Sequence, residues 1–288
     1  MRPPQQLAAA FLLALSATLA LYRPAGAAAG MVVTAATLAV LLLLARVGTN
    51  RGALALSRDA VPFAAVVVLY THLQPAVEAL NTARYDALFG GLDQRYFAGL
   101  AEAWRGAFGR PGGFTDASYI AYASFYLLPV VTLLWLRAQK ERAVFERASF
   151  TVVLGFCLSY VGYVLWPTSG PRLGPAEEAA LGGGAVSEAI RAFLRWGGVN
   201  LLDAFPSGHT AISLLTALVA TRPLGWRTIP LWAWAAAVVF STVYIHVHYV
   251  SDLLGGLALV GVTLLLAPAV WWALERLRPP YPVAPPRP

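Results

Sequence analysis

Apolar residues fall along this chain in long blocks separated by short polar stretches. Crossing a bilayer takes about 20 mostly apolar residues. Eight blocks approach that length, at roughly residues 6–22, 30–46, 60–79, 117–137, 149–166, 207–221, 228–247 and 251–273, and the sixth is the shortest. The pattern predicts an all-α polytopic membrane protein, a helical bundle of about eight transmembrane helices. The first block also admits another reading, in which Arg2, the run from Leu7 to Tyr22 and Ala25-Gly26-Ala27 form a cleavable signal peptide. Residues 276–288 are rich in proline and predict a disordered tail.

Two stretches between blocks carry the one-sided pattern of amphipathic helices. Leu92, Tyr96, Leu100, Trp104 and Phe108 recur every four residues, with Asp93, Glu102 and Arg105 off that stripe. Val186, Ile190, Phe193 and Leu194 form a second stripe, opposed by Glu188, Arg191 and Arg195. Both fit helices lying in the membrane interface, or packing on the end of the bundle.

Composition narrows the class. The chain is 58% hydrophobic and 12% charged, where a soluble domain carries about 25% charged residues; soluble and fibrous classes are excluded. The net charge of +7 comes from arginines scattered at block ends, so it speaks for membrane boundaries and not for a nucleic-acid partner. The short loop 137–148 holds Arg137, Lys140, Arg142 and Arg147, which marks it as cytoplasmic. Alternation then places both termini inside and the loops 80–116, 167–206 and 247–251 outside. Cys157 is the one cysteine, so no disulfide forms within the chain.

Against this background three polar clusters stand out, each at an outer block end. In Pro206-Ser207-Gly208-His209, Ser207 is a good N-cap, and Gly208 leaves backbone amides open to close approach. A helix starting there offers an anion site, with His209 in its first turn. In residues 246–252, His248 and Asp252 stand four apart on one helix face, where the carboxylate can hold one imidazole nitrogen and leave the other to act. In residues 166–172, Arg172 follows a Gly-Pro turn and suits phosphate oxygens. His72 and Glu78 lie in or near the third block on different sides of a helix that Pro75 can kink. As intramembrane ionisable groups they are candidates for headgroup binding or for burial within the bundle. Two histidines and an aspartate could also hold zinc, but an arginine beside them argues against a cation site. No metal or other cofactor is expected.

The Pro-Ser-Gly-His motif, followed by His248-x-x-x-Asp252, resembles the type 2 phosphatidic acid phosphatase superfamily. Residues 85–93 and the segment ending in Arg172 are most similar to its inositol phosphorylceramide synthase branch. The resemblance implies a six-helix catalytic core at 59–275, preceded by two accessory helices at 1–58 and followed by the tail 276–288. It implies His248 as nucleophile through a phosphohistidine, His209 as acid and base, and Asp252 as the group that orients His248. Arg172, Ser207 and Gly208 would bind the phosphate. Two cations usual in the family are absent: Leu165 and Thr242 stand in their places. That loss favours a diester substrate, which carries less charge than a monoester. The expected activity is phosphoryl transfer on membrane lipids at the extracytoplasmic face, with water or a lipid hydroxyl as acceptor. A polyprenyl or phosphatidic acid phosphatase, and a lipid transporter or binding bundle, are the alternatives.

Overall fold

The computed structural model describes residues 1–48, 52–108, 112–139, 141–171, 173–196 and 202–277. The described chain is all helical. In order, the helices are α1 (Pro3–Tyr22), α2 (Ala27–Ala45), α3 (Gly52–Thr71), α4 (Leu73–Leu80), α5 (Asp86–Tyr96), α6 (Leu100–Ala107), α7 (Gly112–Ala123), α8 (Leu127–Ala138), α9 (Arg142–Leu165), α10 (Pro175–Leu181), α11 (Ala185–Trp196), α12 (Gly208–Leu224), α13 (Ile229–Tyr244) and α14 (Val250–Arg276). Six segments are long and apolar enough to cross a membrane: α1, α2, α3, the run Gly112–Ala138, α9 and α14. At 17 and 16 residues, α12 and α13 fall short of a full span. The long helices keep leucine and valine on their outer surfaces, Leu254, Leu257, Val262 and Leu265 of α14 among them, as a bundle solvated by lipid requires.

Prolines set the local breaks. The third apolar block, expected at 60–79, divides at His72 into α3 and α4. Pro75 is the cause: its ring would strike the Thr71 carbonyl in a continuous helix, whereas in the first turn of α4 its missing N–H costs nothing. Pro62 stays inside α3 and frees the Arg58 carbonyl, which accepts from Gln5 Nε2 of α1 at 3.4 Å. Pro129 frees the carbonyl of Phe125, where the run Gly112–Ala138 tightens to a 3-10 turn at Ser124–Tyr126. That turn buries Phe125 and leaves Tyr126 half exposed.

One core cluster joins Leu12 and Leu19 of α1 to Leu69, Phe150, Cys157 and Trp271, so the first two helices share their packing with the rest. At one end of the bundle, the buried Asp59 of α3 accepts from Arg58, from Arg137 at the end of α8 and from Arg142 at the start of α9. Arg2, the N-cap of α1, and Arg142 pair with Glu146 at 2.6 Å. Four helix ends are thus tied by two carboxylates, and the histidines lie at the opposite end.

Candidate active site

The site is assembled from helix ends and the loops between them. Ser207 caps α12: its Oγ accepts from the Thr210 amide at 3.2 Å and from the Thr210 hydroxyl at 3.1 Å. Its own amide donates to the Asp252 carbonyl at 2.9 Å, which locks the start of α12 to the start of α14. Asp252 closes a capping box on α14 by accepting from the Tyr249 amide at 2.9 Å. The same oxygen lies 3.3 Å from His248 Nδ1. His248 Nε2 in turn lies 3.3 Å from His209 Nδ1.

Hydrogen-bond logic orders the protons along this row. A carboxylate only accepts, so His248 carries its proton on Nδ1 and leaves Nε2 with a lone pair; His209 then donates from Nδ1. The His209 ring is held by aromatic neighbours, stacked on Tyr122 at 4.6 Å between centroids and tilted against Phe125 at 4.4 Å.

Two acids outside the three polar clusters position these loops. Asp93 of α5 accepts from the Val250 and Ser251 amides at 2.7 and 2.9 Å, satisfying the first turn of α14. Asp86 accepts from the Ser169 and Gly170 amides at 2.9 and 3.1 Å and fixes the loop after α9. That loop reaches the other two clusters. Ala204 donates to the Thr168 carbonyl at 2.9 Å. Gly170 has φ +79°, and a Cβ there would come within 2.7 Å of the Val247 carbonyl.

His246 adopts a left-handed φ of 59°, unusual for a side chain other than glycine or asparagine. The turn it makes lets the Val247 and His248 amides both reach the Thr242 carbonyl. Burial, and the Arg105 guanidinium beside it, hold His246 below the usual imidazole range; its Nδ1 is 3.3 Å from Arg105 Nη2.

A cavity of about 540 Å³ opens beside the dyad. His209, His248 and Gly208 line it, with Tyr119, Tyr122 and Tyr126 along one face of the α7–α8 run and Tyr70, Tyr160 and Tyr163 across from them. Tyr70 donates to Asp203 Oδ2 at 2.6 Å within the same cavity. Away from the histidines the lining turns apolar. Phe63, Val66 and Val67 of α3 face Pro129 and Val130 of α8. Val67 and Val130 are 53% and 47% exposed, so the cavity meets the outside of the bundle between these two helices, on its apolar flank. The tyrosine row has helical spacing at 119, 122 and 126, a stripe that was legible but reads equally as core.

The remaining candidates are placed differently. Gly208 does not open backbone amides to a ligand. Its own amide faces the Tyr163 phenol oxygen, and a Cβ would come within 2.5 Å of that oxygen. With the Ser207 and Thr210 amides bonded as above, three amides at this helix start are directed to the protein's own groups. Ser207 is buried behind His209 and does not line the cavity. Neither His72 nor Glu78 reaches it. His72 Nδ1 is 3.0 Å from the Val68 carbonyl and its ring lies near Gly30 of α2, while the exposed Glu78 accepts from Gln74 at 3.0 Å. Arg172 lies outside the described residues. Among the described residues no cluster of three metal-ligating side chains occurs. In the second amphipathic stretch, Ile190 packs inward and Phe193 is exposed, while Arg191 turns toward the cavity instead of opposing the packed face.

A paired-histidine row backed by a carboxylate, at one end of a helical bundle with lipid-facing flanks, defines a multi-pass membrane protein with a phosphatase-type site. A family model described as the PAP2 superfamily matches residues 91–266. The chain belongs to that superfamily, the one its histidine motifs resemble. No curated protein and no solved structure gives a significant match to the chain.

Proposed function

We propose that this protein transfers or hydrolyses the headgroup phosphate of a membrane phospholipid through a phosphohistidine. The observation that carries the reading is the row Asp252, His248, His209, joined in 3.3 Å steps, with both histidines on the wall of the cavity. Asp252 holds the Nδ1 proton of His248 and so keeps Nε2 nucleophilic. The 3.3 Å contact between His248 Nε2 and His209 Nδ1 opens, and the substrate phosphorus enters between the two rings. His248 Nε2 forms the P–N bond as the bond to the leaving oxygen breaks, and His209, entering as the imidazolium, gives that oxygen a proton from Nδ1 and is left neutral. In the second half an acceptor hydroxyl gives its proton back to His209, bonds to phosphorus and releases His248.

The apolar end of the cavity supports a lipid as substrate, since acyl chains can extend between α3 and α8. The arginine cluster at the far end supports a cytoplasmic side there, and with it a site at the extracytoplasmic face. Scarce cations favour a phosphodiester over a doubly charged monoester, and a lipid hydroxyl as acceptor keeps the phosphosphingolipid-synthase-like reading in view.

Turnover of a labelled phospholipid panel, with and without ceramide, tests the assignment. A new phospholipid made only with ceramide identifies a transferase; inorganic phosphate released with water alone identifies a phosphatase. His248→Ala abolishes either activity, and wild-type protein quenched in turnover carries acid-labile phosphate. Retained turnover in His248→Ala would sink the mechanism.

A further inference from the structure

Phosphoryl transfer needs positive charge against the non-bridging oxygens, because charge stabilisation and positioning supply most of the catalysis. Here the helix-start amides at 207, 208 and 210 are already directed to the protein's own groups, and Leu165 and Thr242 carry no charge. Among the described residues lining the cavity, Arg191 is the only arginine or lysine.

Its placement is built from two elements. Asp116 of α7 accepts from the Gly184 and Ser187 amides at 2.8 and 2.9 Å, capping the start of α11. This seats α11 across α7 and brings the Arg191 guanidinium over the Tyr119 ring, 5.1 Å from its centroid. Tyr122, one turn further along α7, carries the His209 ring. Residues three apart on a helix lie about 5–6 Å apart, so the guanidinium and the imidazole stand on neighbouring rungs of one aromatic ladder. The hydrogen bonds that hold Arg191 are long. It reaches the Glu178 and Gly182 carbonyls at 3.5 Å and Ser187 Oγ at 3.4 Å. Contacts at the edge of the hydrogen-bond range leave strong donors for a better acceptor.

We infer that Arg191 is a substrate-binding residue that holds the non-bridging oxygens of the phosphodiester while the phosphoryl group sits between His209 and His248. The inference deepens the function proposed above and rests on it. It assigns to α11 the charge that two helix positions in this chain lack.

The experiment uses purified full-length protein in lipid nanodiscs, with orthovanadate and inorganic phosphate as probes. Arg191→Gln weakens vanadate inhibition and lowers kcat/KM by roughly tenfold or more, the scale of a lost charge-assisted contact. The exposed Arg95→Gln, which removes the same charge elsewhere, changes both by less than twofold. A second measurement needs no variant. Phenylglyoxal labels Arg191 in the wild type, and vanadate protects it, as read by peptide mass spectrometry. Unchanged vanadate inhibition and kcat/KM in folded Arg191→Gln, or labelling of Arg191 that vanadate does not reduce, overturns the assignment. If wild-type turnover depends on His248 while those outcomes hold, only Arg191 is wrong; turnover independent of His248 removes the parent reading instead.

Discussion

Gly208 shows how a single residue can be legible in kind and misread in purpose. The sequence singled it out as a place where a side chain is not tolerated, and that holds. The reason is the Tyr163 hydroxyl, 2.5 Å from where a Cβ would stand, and not an incoming anion. No one-dimensional pattern links positions 163 and 208; only the crossing of α9 and α12 does. Gly208→Ala is therefore expected to displace the first turn of α12 and His209 with it, costing about 1–3 kcal/mol of stability and most of the turnover. Removing the obstructing oxygen in Gly208→Ala/Tyr163→Phe restores part of both, as read by thermal unfolding and by kcat. An additive double mutant would refute the steric account. The dyad and its aspartate were legible because their spacing alone puts them on one face. Asp86 and Asp93 were not, because their partners are backbone amides more than 80 residues away.

Among the elements, α14 carries the site from its first turn. Its leading amides are satisfied by Asp93 from α5 and by Asp252 from within, so a short surface helix sets where the nucleophile stands. Asp93→Ala leaves the Val250 and Ser251 amides without these acceptors, at about 1–2 kcal/mol. Because His248 lies just before that turn, kcat is expected to fall with little change in KM, while Asp93→Asn, which keeps an acceptor, retains more of both. A fall in KM affinity with kcat intact would show that α5 contacts substrate instead. The amphipathic pattern at 92–108 announced a helix; the structure divides it into α5 and α6 at Gly99, whose φ of 77° ends one and begins the other. Periodicity continues through such a break, which is why boundaries were the least readable part of the sequence.

For the molecule as a whole, the all-helical fold followed from apolar block length. Blocks do not tell depth, however: α12 and α13 are short yet central, because their neighbours shield them. What anchors the far end is charge. Asp59 is buried and shared by arginines from α3, α8 and α9, and Asp59→Ala would leave several guanidinium groups uncompensated, at about 3–5 kcal/mol. The expected result is a marked drop in unfolding temperature, with vanadate affinity unchanged in the protein that remains folded, since the site lies at the other end. The half-exposed valines between α3 and α8 carry a different consequence. A reactant admitted through that gap is counted per neighbouring lipid and not per litre. Catalysis would then follow the mole fraction of substrate in the bilayer, so adding inert lipid at fixed total substrate slows the reaction, and adding buffer does not.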